Sequence, residues 1–525
     1  MADSRDGRAG FVAAGVLCSR LAGLVRQRVI AHYFGLATDA ADAWAAGFRI
    51  PNLLQNLFGE GALSASFIPV YATLLARGDR READRLAGAV ASLLALVVSA
   101  IVACGVFAAP WLINVIAYGF TAEKRALTVA VVRILFPGAG LLVLSAWCLG
   151  VLNSHHRFLL SYAAPVVWSA AMIVSLLWFG GSTPLPQLVV ILAWGSVVGS
   201  ALQFVVQLPV VLRVAPELRF SLRALSEDLR TVVRNFVPAF VGRGVVQVSA
   251  YIDTLLASLL PIGAVAGLLN AQTLYTLPVS LFGMSVSAAE LPAMSGAAGV
   301  GGPAALDRLR RRLDAGLRQI AFFVVPSAMA FLALGDIVAA AVLQTGRFSH
   351  TDAVTVWAIL AGAAIGLLAS TLGRLYSSTY YALRDTRTPL RYAVIRIALT
   401  TVLGYVCAIP LPRWLGIAPL WGTAGLTASA GIAGWVEMLL LRATLNARIG
   451  RTGLPVRYVA SLWSAAAAGA TIAWAAKLTL PSMHPVLTGV FVLGPYGIVF
   501  FVVALALRIP EASAALSRVR DWRRR

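Results

Sequence analysis

Charge is what this sequence has least of. Asp, Glu, Lys and Arg together make 12% of the 525 residues, about half the ~25% of an ordinary soluble domain. The deficit falls on the acids: 22 Asp and Glu stand against 43 Lys and Arg, a net charge of +21. Cysteine is also scarce. Cys18, Cys104, Cys148 and Cys407 are scattered through apolar stretches without a CxxC pair, which argues against a disulfide framework or a thiolate metal site. They are expected to be small buried hydrophobes. Of five histidines, only His155 and His156 adjoin, and they read as polar loop residues. There is no P-loop, no HExxH and no GxSxG with triad partners. The chain is therefore not expected to be an enzyme or to hydrolyse ATP, and no cofactor is expected.

What it has in excess is apolar length. The sequence is 59% hydrophobic, with a mean hydropathy of +0.82. Apolar runs of about 20 residues recur throughout, each enough to cross a ~30 Å hydrocarbon core. The spacing predicts an all-α membrane protein with fourteen spans near 10–35, 40–75 (broken), 87–117, 127–152, 160–180, 187–212, 233–260, 263–295, 318–344, 352–382, 390–410, 418–446, 456–478 and 486–508. The polar start MADSRDGRAG, followed by an apolar stretch carrying Arg20, Arg26 and Arg28, does not resemble a cleavable signal peptide.

Basic residues follow the positive-inside rule. With fourteen spans, the termini and even-numbered loops hold thirty Lys and Arg, and the odd loops hold five: Lys124, Arg125, Arg347, Arg413 and Lys477. Both termini are thus expected in the cytoplasm. This asymmetry accounts for the net charge, so nucleic acid is not an expected partner. The bilayer is, and a monomer is expected.

Eight arginines fall inside the spans: Arg20, Arg26, Arg28, Arg49, Arg133, Arg243, Arg374 and Arg396. The acids there are Glu60, Asp253, Glu290, Asp336 and Glu437. A charge at mid-bilayer costs ~2.5–3.5 kcal/mol on insertion scales, so such residues face a cavity or a partner. Acids are too few to pair with every arginine at depth. The surplus predicts a central cationic cavity for a phosphate- or carboxylate-bearing substrate, because the planar guanidinium donates two parallel hydrogen bonds to such groups. Arg28 and Arg396 are read as pairing structurally or snorkelling. On a straight helix Arg20 and Arg26 would point ~120° apart, so span 1 is either distorted near Gly23 or wrapped by the cavity. Glu60, in the FGEGA break, and Asp253 are candidates for gating or coupling.

Span 2 reads IPNLLQNLFGEGALSASFIP (50–69) and span 8 reads LPVSLFGMSVSAAELP (277–292). Both hold Pro, then Leu-Phe-Gly, then a second Pro. This pattern suggests two parallel six-span bundles with spans 13–14 appended.

Several stretches carry a resemblance along nearly the whole chain: SRLAGLVRQRVIAHYFG (19–35), FRIPNLLQNLFGEGALSASFIP (48–69), VVRILFP (131–137), GVLNSHHRF (150–158), LQTGRF (343–348), YYALRDTRTP (380–389) and GTAGLTAS (422–429). The sequence resembles the MurJ (MviN) lipid II flippases of the multidrug/oligosaccharidyl-lipid/polysaccharide exporter superfamily. The resemblance implies two six-helix lobes in a V plus two C-terminal helices: 1–225, 226–450 and 451–525. It implies flipping of an undecaprenyl-pyrophosphate-linked disaccharide-pentapeptide (lipid II) across the bacterial inner membrane by alternating access, with the arginines holding the pyrophosphate. Ser19, Arg20, Arg26, Asp39 and Asn52 match the family's functional positions. Asp39 is assigned to gating or coupling, and Arg49, Arg243 and Arg374 join the expected substrate-binding set. The membrane potential, sodium and protons all stay open as the energy source.

Three positions depart from the family pattern: Gln27 replaces an Asp, Gln55 an Arg, and Thr273 an Arg. Arg243 stands where the family has an apolar residue and is read as supplying the charge Thr273 lacks. A flippase for another polyprenyl-pyrophosphate glycan is the alternative. A cation-coupled drug exporter is disfavoured, because it would want an acidic cavity.

Overall fold

The computed structural model describes residues 3–58, 62–155, 157–218, 227–299 and 303–523. Among the described residues, every predicted span is helical at its expected place. Among the described residues, ten helical segments are long and apolar enough to cross a membrane. Spans 1, 2, 5 and 7 are not among these ten. In spans 1, 2 and 7 the apolar runs are interrupted by Arg20, Arg26, Arg28, Asp39, Asp42, Arg49, Arg243 and Asp253.

Contacts divide the chain into two compact units. The first comprises Met1–Ala266 with Thr345–Arg347. It holds α1 (Asp3–Phe34), α2 (Asp39–Phe58), α3 (Ser64–Arg77), α4 (Arg80–Ile116), α5 (Ala122–Ser154), α6 (Phe158–Phe179), α7 (Leu185–Val214) and α8 (Glu227–Ser258). Helix α5 lies at its centre, against α2, α4 and α7, while α6 bridges α7 and α1. Small residues set the spacing, since lipid gives apolar helices no hydrophobic reason to associate and close backbone approach supplies the attraction instead. A Cβ on Gly199 would lie 2.8 Å from the Trp168 carbonyl oxygen. Helix α8 packs on α2, α3 and α4.

The second unit, Gly267–Gln344 with Phe348–Arg525, holds most of α9 (Ala264–Pro278), then α10 (Ser285–Gly299), α11 (Pro303–Leu343), α12 (His350–Ala382), α13 (Arg387–Ala408), the short α14 (Pro410–Trp414), α15 (Gly422–Ile449), α16 (Val456–Thr479), α17 (Pro485–Ala506) and α18 (Pro510–Arg523). Helix α12 is central, between α11 and α15. Its entry is fixed by a capping box: Ser349 Oγ accepts from the Asp352 N–H, and the Asp352 carboxylate accepts from the Ser349 N–H. At Gly366 a Cβ would overlap the Gly431 backbone of α15. Helices α16 and α17 dock on α11 through Leu334, Ile337, Ala470, Ala473, Val492 and Tyr496. Leu334 leaves helical geometry (φ −132°, ψ 17°) and kinks α11. Two indoles cover carbonyls on the N-terminal side of the kink, Trp357 donating to Leu332 O at 3.0 Å and Trp474 to Ala333 O at 3.0 Å. In hydrocarbon, backbone groups released by a kink need such partners.

A π-helical turn occurs in or near each Leu-Phe-Gly segment, though not at the same place. Ala62 and Leu63 form a π-helical turn just past the first, and Val279–Met284, which contains the second, is π-helical throughout. Several expectations about single residues change. Only Cys148 is buried, and Cys18 and Cys104 are exposed on helix surfaces. In a spanning helix the outer face meets lipid, so an apolar thiol gains nothing by turning inward. His155 is no idle loop residue, because its Nε2 lies 2.9 Å from the Tyr71 hydroxyl. His156 lies outside the described residues.

Candidate substrate-binding site

Helix α1 runs unbroken through Gly23, so span 1 is not distorted there and its two arginines diverge as a straight helix requires. Arg20 is exposed and Ser19 half-buried. Arg26 turns onto α6. Its guanidinium carbon lies 4.5 Å from the centroid of the Trp168 ring, and its Nη1 donates to Ser169 Oγ at 3.4 Å. Its Nε is buried with no hydrogen-bond partner. A ring face supports a guanidinium without satisfying its N–H groups, so Arg26 keeps donors to offer.

No carboxylate is ion-paired with Arg20 or Arg26 among the described residues, because the acids are engaged elsewhere. Asp336 pairs with Lys477, Glu290 with Arg312 at 3.3 Å, and Glu437 with Arg396 at 3.1 Å. Asp39 and Asp42 both pair with Lys124, at 2.8 and 2.9 Å. Lys124 is thus no solvated loop charge; it is buried in the first turn of α5. Asp42 also accepts from the Gly263 and Ala266 N–H groups at 3.0 Å each, satisfying the open end of α9. Asp39 therefore belongs to a structural network joining α2, α5 and the start of α9.

The next turns of α2 face α5, α6 and α7. Phe48, Asn52 and Gln55 recur at helical spacing and line a recess completed by Leu135, Gly138, Ala139, Leu142, Trp168, Ser196 and Ser200. Its enclosed void is small, about 20 Å³, room for roughly one water molecule. Phe48 stacks between Trp44 and Trp168, with centroids 5.2 and 5.9 Å apart. The Trp168 N–H donates to Ser196 O and Oγ at 3.2 and 3.1 Å, which fixes the ring. Below Ser196 and Ser200, α7 continues the polar line with Gln203 and Gln207. Gln203 donates to Ser145 Oγ at 2.9 Å, and Ser145 donates to Gln207 at 3.0 Å.

Other expected residues stand apart from this cluster. Arg49 donates to Ala250 O at 2.9 Å, and its own carbonyl accepts from the Tyr251 hydroxyl at 3.2 Å, so it braces α2 to α8. Asp253 is half-buried on α8. Arg243 is on α8, but its side chain lies outside the description, as does Glu60 altogether. Arg374 is in the second unit, on an accessible polar strip of α12 with Ser370, Ser377, Ser378 and Tyr381, near the Arg396–Glu437 pair. Sequence reasoning missed Trp168, Lys124, Asp42 and the Ser196–Gln207 line. The last was readable as polar residues at 196, 200, 203 and 207, one face of a helix.

Residues 30–506 match the family model described as "Lipid II flippase MurJ". The chain belongs to the MurJ family. A curated member of that family, "Lipid II flippase MurJ" of Burkholderia cenocepacia, is 33% identical over 438 residues, covering 82% of each chain. Among solved structures, "Lipid II flippase MurJ, inward closed conformation" aligns with a TM-score of 0.74 at 21% identity, covering 94% of this chain and 99% of the other. An inward-facing multidrug-resistance transporter of the wider superfamily aligns with a TM-score of 0.66 at 17% identity, covering 82% and 95%. These two likenesses show the fold. Within the MurJ family fold, Arg26 and Asn52 fall on successive helices of one unit, with Trp168 of α6 between the arginine and the recess that Asn52 lines.

Proposed function

We propose that this chain flips lipid II, an undecaprenyl-pyrophosphate-linked disaccharide-pentapeptide, across the bacterial inner membrane by alternating access. The observation that carries this is Arg26: a guanidinium braced on Trp168, with a buried Nε that has no partner and no carboxylate paired to it. A buried cation without a counter-ion is costly, and an arriving pyrophosphate removes that cost through charge-assisted hydrogen bonds. The reading carries with it fourteen spans with cytoplasmic termini, in lobes 1–225 and 226–450 with 451–525 appended. Ser19, Arg20, Arg26, Asn52 and Arg374 are assigned to the headgroup, along with Arg49 and Arg243. Asp39, Glu60 and Asp253 are assigned to gating or coupling.

The departures at Gln55 and Thr273 favour one second reading, a different glycan on the same polyprenyl pyrophosphate. Depletion of the protein in a cell with inducible rescue separates the two. Lipid II accumulating on the cytoplasmic face is the expected result, and accumulation of another lipid-linked glycan instead overturns it.

A further inference from the structure

Arg133 falls inside span 4, yet the transport proposed above gives it no role. It is exposed on α5. Its one hydrogen bond among the described residues runs from Nε to the Val106 carbonyl of α4 at 3.3 Å. Pro110, inside α4, explains that bond. A helical carbonyl accepts from the N–H four residues on, and for Val106 that residue is a proline, which has none. Arg133 supplies the missing donor. Among the described residues its two Nη groups keep no partner, and no carboxylate is ion-paired with it.

The surroundings decide what those donors meet. The exposed face of α4 carries Leu96, Val97, Phe107, Trp111 and Val115, apolar as a face turned to lipid must be. Phe107, next to Val106, and Trp111, about one turn on, are each 82% exposed. The Trp111 N–H makes no hydrogen bond among the described residues. Depth follows from the other end of α4. Its polar start, Arg80 to Arg85, marks the entry to the hydrocarbon. From Leu86, a ~30 Å core at ~1.5 Å per residue takes about twenty residues and ends near Val106. The guanidinium therefore lies at the far boundary of the core, within reach of lipid phosphates. Trp111 stands beyond it, in the interfacial zone where tryptophan collects.

Its bond to Val106 keeps the guanidinium at the seam between α4 and α5. An acyl chain there would leave both Nη groups without partners, and a neutral headgroup would leave the charge uncompensated. A phosphodiester does neither, because its anionic oxygens match the planar fork. We propose that Arg133, at the α4–α5 seam beside Phe107 and Trp111, is a binding site for the phosphate of a phospholipid. In the orientation proposed above, that lipid belongs to the outer leaflet. The site does not depend on what the protein transports.

The test uses the full chain in phosphatidylcholine vesicles and two photoactivatable probes. One is phosphatidylglycerol and the other a diacylglycerol with the same chains, each carrying a diazirine near the top of one chain. Labelling of the stretch 103–118 is read by peptide mass spectrometry. In the wild type the phosphate-bearing probe is expected to label it about tenfold more, the worth of one hydrogen bond to a charged group. Removing Arg133 alone would strand the Val106 carbonyl. The variant is therefore Pro110→Ala/Arg133→Leu, in which the helix regains its own bond, and its ratio should fall to within about twofold. A wild-type ratio near one overturns the site. So does a wild-type preference that survives the double substitution. Either result leaves the flippase reading untouched, since neither probe is its substrate.

Discussion

Arg26 is held by a ring and a hydroxyl, with no carboxylate paired to it, and that determines how it responds to substitution. Arg26→Lys keeps the charge but loses the planar fork and the stack on Trp168. Flipping in a complementation assay should drop by about tenfold or more, in line with ~1.5–3 kcal/mol for hydrogen bonds to a charged group. Arg243 gives a second expectation. Arg243→Ala should fail to rescue depleted cells, and adding Thr273→Arg should restore rescue; normal growth of the single variant would show that its charge is not needed. Asp385, in the turn between α12 and α13, tests a different effect. Its carboxylate accepts from the Thr388 N–H and hydroxyl, and also from Arg448, and these hold its pKa down to about 2. A depressed folded pKa stabilises above the unfolded value of ~3.9 and is lost as pH falls through the folded one. The melting-temperature gap between wild type and Asp385→Asn should therefore shrink as pH falls from 5 towards 2. At this scale the sequence was a partial guide. Arg20, Arg26 and Arg374 stood out because a charge in an apolar run is visible without a fold. Trp168 did not, because an aromatic in an apolar helix looks like any core residue until α1 brings a guanidinium against it. Lys124 misled for a related reason: it sits at a helix start, and only folding shows Asp39 and Asp42 closing over it.

The helices themselves were almost wholly legible, since apolar runs of membrane length have few alternatives. Their boundaries and breaks were less so. Pro51 and Pro69 lie inside helices that continue through them, whereas α11 kinks at Leu334, eight residues past Pro326 and with no proline of its own. The reason is tertiary: Trp357 and Trp474 supply the hydrogen bonds that make the kink affordable. Contact between helices was not readable at all, because glycine in a spanning run has many uses. Gly366 and Gly431 bring α12 and α15 into backbone contact, whereas an added Cβ on Gly434 would meet nothing within 4 Å. Gly366→Ala should therefore cost ~1–3 kcal/mol, as overpacking does, and lower the thermal midpoint in detergent. Gly434→Ala should change it little.

At the scale of the whole molecule, the asymmetry of thirty basic residues against five makes a direct claim about orientation. Single cysteines placed in the N-terminal segment and after Arg508 should both resist membrane-impermeant thiol reagents in intact cells and react once the membrane is opened. Labelling of one end alone in intact cells would require an odd number of spans, and labelling of both would invert the orientation. The π-helical turn at Val279–Met284 bears on how that helix is set. Such a turn is an α-helix carrying one surplus residue, so deleting one residue inside it should return the stretch to α-helical register, whereas the same deletion in an unbroken helix rotates everything beyond it by ~100°.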